Sequence, residues 1–300
     1  MEGKDKKGIH ELSISKRLEA GEILIADGAT GTMLIAAGLP QDTPTELWNV
    51  ENPEQIIKLH CSYIEAGSQI ILTNTFSSNK VRLERLGYAD RAAEFNKAGA
   101  QLAKKAAGDR AYVAGDIGPT AELLEPFGTL SFDLAVESFA EQAAALVSGG
   151  VDALWVETMT DLEEVKAAIT GIKQVTNLPV LCSMSFGKNG FTMMGNTPSQ
   201  AAEAVIELGV AAFGINCGEG LENLDEIFAQ IKSVSPKLPI IAKPNAGLPK
   251  VEDGKIMYDV NPEEFAKWIK HFTEGGAQIV GGCCGSNTSF IAAIKDALGR

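Results

Sequence analysis

Three of the five cysteines stand at matching places in the chain. Cys217 closes the apolar run AAFGINCG (211–218), and Cys283 and Cys284 close AQIVGGCCG (277–285). Adjacent cysteines can hardly bond to each other, because a disulfide needs a geometry that neighbours cannot supply. If the two runs are strands of one sheet, all three thiols meet at one end of it. Three converging thiolates suit a soft divalent metal, above all zinc, which in catalytic sites keeps three protein ligands and one open position. A zinc held by three thiolates is electron-rich and a weak Lewis acid. It is poorly suited to making hydroxide and well suited to holding a substrate thiol in its reactive, deprotonated form. The chemistry expected is attack by a thiolate on an electrophilic carbon. Cys61, in a helical pattern, and Cys182, inside a strand, read as small buried hydrophobes. His10, His60 and His271 lie away from strand ends, so no hydrolytic triad is expected.

The elements that must position these residues are legible as a repeat. Eight short apolar runs recur at 23–29, 69–76, 111–120, 152–159, 179–186, 211–218, 239–247 and 277–285. Runs of this length fit strands buried on both faces, as in a parallel sheet. Helical patterns lie between them. In NPEQIIKLHCSYIEAG, Asn52 is a candidate N-cap, Pro53 takes the first helical position and Gly67 follows the end. Eight strands alternating with helices make an α/β protein, a single-domain (β/α)8 TIM barrel. The barrel is expected over 21–300, after an N-terminal helical and charged extension over 1–20. An open doubly wound sheet is the alternative. Asp27-Gly28-Ala29-Thr30-Gly31-Thr32 only half resembles the phosphate fingerprint such a sheet carries.

In a barrel the active site lies at the carboxyl ends of the strands. The candidates there are Asp27, Thr73 to Thr75, Asp116, Glu157, Ser183 to Ser185, Asn216, Cys217, Asn245, Cys283 and Cys284. Glu157 follows the apolar Leu154-Trp155-Val156, where a carboxylate is costly to bury without a cation. The formal net charge of −13 excludes nucleic acid and anionic membrane surfaces as natural partners. No run approaches a membrane span, and the charged start lacks a signal-peptide core. Few, unframed cysteines fit a reducing compartment, so a cytoplasmic location is expected.

With these residues in view, the chain resembles the homocysteine S-methyltransferase barrel family. The motifs are DGATGTML (27–34), TNTF (73–76), GDIGPT (115–120), ET (157–158), GINC (214–217), KPNAG (243–247) and GGCCG (281–285). The first three are most similar to the homocysteine-binding domain of cobalamin-dependent methionine synthases. The resemblance implies zinc on Cys217, Cys283 and Cys284, which are therefore the catalytic residues, with the homocysteine sulfur as fourth ligand. Asn245 matches an oxygen ligand that the substrate displaces. Asp27 and Glu157 match the acids that receive the substrate ammonium. The backbone amides around Ala29 and Thr30 match those that hold its carboxylate. Asn74 and Asp116 are further substrate-side candidates, and Phe191 with Met193 and Met194 is a candidate lining for the donor side.

The implied reaction makes methionine from homocysteine. The donor is expected to be methylcobalamin carried by a separate corrinoid protein, or another methyl compound. The Gly218-Glu219-Gly220 after GINC differs from the methionine synthase pattern. It admits a second reading, a substrate-side methyltransferase of an anaerobic corrinoid-dependent demethylase system. Three cysteines alone would also permit a non-catalytic metal sensor.

Overall fold

The computed structural model describes residues 8–40, 43–218, 221, 223–252 and 255–300. All eight expected strands form: β1 (Leu24–Ile25), β2 (Ile70–Leu72), β3 (Tyr112–Ile117), β4 (Ala153–Met159), β5 (Val180–Met184), β6 (Ala212–Cys217), β7 (Ile240–Pro244) and β8 (Ala277–Val280). Each neighbouring pair is parallel, and the order around the sheet is β1-β8-β7-β6-β5-β4-β3-β2. A bridge between Ala26 and Ile70, with the Gln69 amide donating to the Ile25 carbonyl at 2.6 Å, closes the ring. The fold is a (β/α)8 barrel, and the doubly wound alternative is excluded.

Several strands are shorter than the apolar runs that announced them. β1 and β2 stop early because Asp27 to Ala29 and Thr73 to Phe76 leave the ladder for turns at the barrel mouth. β8 stops at Val280, before the two cysteines. The helices start and stop where chain chemistry directs. Pro53 opens Pro53–Ala66, although the Asn52 side chain makes no capping bond, and Gly67 ends it at φ 123°. Thr197 and Gln200 form a reciprocal capping box on Pro198–Glu207.

Two apolar layers result. The larger lies between strands and helices. The smaller fills the barrel: Leu24, Ile70, Tyr112, Ala114, Ala153, Trp155, Leu181, Ala212, Ile241 and Ile279 belong to it. Ile14 and Leu18, on the helix Ile14–Glu19 ahead of β1, are buried in this same cluster. The inward residues alternate along each strand, as the pleat requires. One more step of two reaches Asp116 on β3, Glu157 on β4, Ser183 on β5 and Lys243 on β7, and two steps from Ala212, past Gly214, reach Asn216 on β6. All five are buried. The barrel interior therefore changes from apolar to polar in a single layer, beneath the mouth. Among the described residues no helix is long and apolar enough to cross a membrane.

His60 sits on Pro53–Ala66, buried, with neither ring nitrogen bonded to a described residue. Burial pushes its pKa down to about 4. Below its ordinary value of 6.5 the unfolded chain takes up a proton that the folded chain refuses, so stability falls as pH drops from about 6.5 toward 4. The loss reaches on the order of 3 kcal/mol at the acid end. His60→Leu is expected to flatten this slope, read as a smaller difference between urea midpoints at pH 5 and pH 8.

Candidate active site

Asp27, Asp116, Glu157, Lys243, Cys217, Cys283 and Cys284 line one cavity of about 410 Å³ at the carboxyl ends of the strands. The three cysteines form one wall. Their sulfurs all lie within 4.8 Å of one another, and Cys217 Sγ is 3.9 Å from Cys284 Sγ. A tetrahedral zinc with Zn–S of about 2.3 Å sets its sulfurs about 3.8 Å apart, so the donor set fits that ion.

The chain reaches this geometry by local strain and close packing. Cys217, the last residue of β6, has φ 61°, a left-handed backbone that a side chain rarely adopts. The turn after β8 is held by the Cys283 amide donating to the Pro244 carbonyl at 2.8 Å and the Gly282 amide donating to the Asp27 carbonyl at 3.1 Å. Gly282 is needed there, since a Cβ would stand 2.3 Å from Ser286 Oγ. Gly285 takes φ 81°, and a Cβ on it would run into the ring of Tyr258.

Asn216 supports the wall from below. Its Oδ1 accepts from the Thr158 amide at 2.9 Å and from Ser183 Oγ at 2.7 Å. Trp155 Nε1 donates in turn to Ser183 at 2.9 Å. Asn216 Nδ2 donates to Thr158 Oγ1 and points a weak bond at Cys283 Sγ, 3.7 Å away. Thr158 itself has φ 60°. Hydrogen bonds with Cys217 and then Cys283 push the Cys284 thiol down to about 3, and hydrogen bonds with Cys283 and then Cys284 push Cys217 up. The three sulfurs thus stabilise one shared negative charge, and a bound dication would let all three ionise.

Asn245 adds an oxygen. Its Nδ2 donates to the Gly218 carbonyl at 3.1 Å, while its buried Oδ1 has no partner among the described residues. A buried, unpaired carbonyl oxygen on a side chain bonded to the residue after Cys217 is a donor that a metal could satisfy.

Another part of the lining is ionic, and it contains a residue the sequence reading did not single out. Lys243 Nζ lies 3.0 Å from Glu157 Oε1 and 3.3 Å from Asp27 Oδ1, with the Trp155 ring 5.2 Å from it. Burial opposes the lysine's charge, but Glu157 and Asp27 outweigh it and hold its pKa above the ordinary value. Burial raises Asp27 to about 6 against the pull of Lys243, and raises Glu157 as well. The cation that Glu157 requires is therefore in the chain. The alternation along β7 from Ile241 was the available signal for it. Tyr258, at the end of a hairpin (Pro249–Glu252 and Lys255–Tyr258), is a second residue not anticipated; its ring packs against Gly285, next to Cys284.

Other expected substrate residues are placed as follows. The Ala29 amide lies 3.3 Å from both the carbonyl oxygen and Oγ of Ser286, and Thr30 opens the helix Thr30–Ala36. Both line the cavity. Asn74 also lines it, but its amide nitrogen donates to the Thr45 carbonyl at 2.8 Å and to Asn49 Oδ1 at 2.9 Å. Phe191 and Met193 line a second cavity, which shares Cys217 with the first. Glu219 and Gly220 lie outside the described residues.

The homocysteine S-methyltransferase family profile matches residues 24–298, from the first barrel strand to the last helix. The chain belongs to the homocysteine S-methyltransferase family. It is 31% identical over 294 residues to the methionine synthase of Mycobacterium tuberculosis (strain ATCC 25618 / H37Rv), covering 92% of this chain and 24% of that protein. The Mycobacterium leprae (strain TN) methionine synthase is 30% identical over 299 residues, covering 94% and 25%. The chain thus spans about a quarter of the length of these relatives. The metallated form of the Escherichia coli homocysteine methyltransferase MmuM shares the fold, with a TM-score of 0.76 at 24% identity over 92% of this chain and 96% of that one. Its oxidized form gives the same TM-score over 91% and 95%.

Asn216 touches Cys283 without belonging to the donor set. Asn216→Ala is expected to weaken zinc binding by about 10- to 100-fold, as loss of an orienting partner does. Competition with a chromophoric chelator measures this, and an unchanged far-ultraviolet dichroism spectrum shows that the barrel persists.

Proposed function

We propose that this protein is a zinc-dependent homocysteine S-methyltransferase that forms methionine. The observation carrying the reading is that one cavity is lined both by three thiols and by a buried carboxylate–lysine group. That pairing suits a small molecule with a thiol at one end and an ammonium at the other. Membership of the family supports the same acceptor.

Cys217, Cys283 and Cys284 would hold the metal, with Asn245 Oδ1 as the oxygen that an incoming sulfur replaces. Zinc, when bound, supplies the positive charge that keeps the substrate thiol deprotonated near neutral pH. The chain's own residues do the rest. Asn216 aims Cys283, and Tyr258 steadies Cys284 from the hairpin. The carboxylate layer would anchor the far end of the substrate, and the amides at Ala29 and Thr30 would receive its carboxylate, the Ala29 amide giving up its bonds to Ser286. Fixing both ends leaves the sulfur one direction of attack, which converts binding energy into orientation. The methyl donor would approach from the side of Phe191 and Met193, both exposed, beside Cys217. A methylated corrinoid on a partner protein, or another methyl compound, is the proposed donor, in keeping with the methionine synthases among the relatives.

Zinc-edge X-ray absorption tests the acceptor. Added homocysteine is expected to change three sulfurs plus one oxygen or nitrogen into four sulfurs. An unchanged first shell, together with methyl transfer to a corrinoid protein but none to homocysteine, would instead support the demethylase-side reading. Cys217→Ser is expected to lower zinc content well below one ion per chain by mass spectrometry and to abolish methionine formation from any donor.

A further inference from the structure

The three cysteines are not held alike. Cys283 is fixed through its amide, which donates to the Pro244 carbonyl at 2.8 Å, and through its sulfur, 3.7 Å from Asn216 Nδ2. Cys217 is the last residue of β6. Cys284 depends on a different part of the chain. Its carbonyl accepts from the Ala246 amide at 3.0 Å. The residue after it, Gly285, packs so closely on Tyr258 that a Cβ there would stand 2.3 Å from two atoms of the ring.

Ala246 and Tyr258 belong to the two feet of the hairpin, and these feet are tied to each other. The Val260 amide donates to the Ala246 carbonyl at 3.1 Å, and the Leu248 amide donates to Asp259 Oδ1 at 3.1 Å. Lys250 Nζ lies 3.1 Å from Asp259 Oδ2. Gly247 takes φ 90°, and a Cβ on it would stand 2.1 Å from Asp259 Oδ1, so the feet are in close contact. Cys284, Ala246 and Val260 thus form one line of backbone bonds that runs from the cysteine turn into the hairpin.

The hairpin is a two-stranded sheet separate from the barrel, and such a pair is marginally stable on its own. Its order depends on how its feet are fastened, and one fastening is Gly285, next to a cysteine of the trithiol. A contact that serves two equilibria couples them, and the coupling runs both ways. On the reading that Cys217, Cys283 and Cys284 hold zinc, we propose that Tyr258 is a positioning residue that couples the hairpin to the metal. Its ring keeps the Cys284–Gly285 turn in shape for the ion. The ion, once held, fastens the feet of the hairpin in return. The face of the ring supplies the contact, so the phenol oxygen is not required for it.

Zinc competition with a chromophoric chelator tests one direction. Tyr258→Ala should weaken zinc binding by about tenfold or more, as loss of an orienting contact does, while Tyr258→Phe stays within about threefold of wild type. Hydrogen exchange at the Ala246 and Val260 amides tests the other. In wild type, zinc should slow exchange at both by about tenfold or more, and in Tyr258→Ala the effect at Val260 should shrink to about twofold or less. Tyr258→Leu takes the place of the alanine variant, with the same expectation, if that one does not fold. Unchanged zinc binding in Tyr258→Ala, an equal loss in Tyr258→Phe, or exchange at Val260 that zinc does not slow in wild type overturns the proposal and leaves the zinc reading standing. So does a zinc effect at Val260 that Tyr258→Ala leaves at full size. A wild type that binds no zinc overturns that reading and this proposal with it.

Discussion

In a parallel barrel every second residue of each strand faces the interior, and a narrow interior must be filled. This protein fills the lower part with Leu, Ile, Ala and Trp155, then changes to charge at the next inward position on β3, β4 and β7. Charges placed there cannot reach bulk water, so they must satisfy one another. Lys243 is the centre of that arrangement. Without it, Asp27 and Glu157 would be two buried anions side by side, an arrangement whose cost rivals the stability of a whole domain. The rest of the mouth is built around this pairing. β7 carries the lysine, and two residues later the same segment carries Asn245, bonded to the Gly218 carbonyl.

The two walls of the cavity therefore share supports. Asn216 and Ser183 continue the inward alternation on β6 and β5, and through Thr158 they connect the backbone beside Glu157 to Cys283. Trp155 stands beneath, bonding Ser183 and offering its ring to Lys243. Two residues in left-handed backbone, Thr158 and Cys217, lie at this junction. Strain of that kind persists only where surrounding contacts over-determine it, and here those contacts include the hydrogen bonds of Asn216.

Much of this was legible in the chain. Short apolar runs gave the eight strands, because strands buried on both faces cannot carry polar residues. Their polar ends gave the cysteines, Asp116 and Glu157. Lys243 escaped notice because it sits inside KPNAG, where the eye goes to the turn, although counting by two from Ile241 leads to it. The engagement of Asp27 by Lys243 and the Leu72 amide could not be read at all, since it depends on residues from three separate strands or strand ends. Nor could the commitment of Asn74 to Thr45 and Asn49, which belong to the segment ahead of the helix Pro53–Ala66 and lie far from the strand pattern.

The placement of Cys283 and Cys284 after β8 has a consequence for how the molecule is made. β8 is the strand that joins β7 to β1 and turns a curved sheet into a ring. It is also the last of the eight barrel strands to be synthesised. Until it inserts, Cys217 is alone and no trithiol exists. Completion of the ring and assembly of the trithiol are thus a single event in the life of the chain.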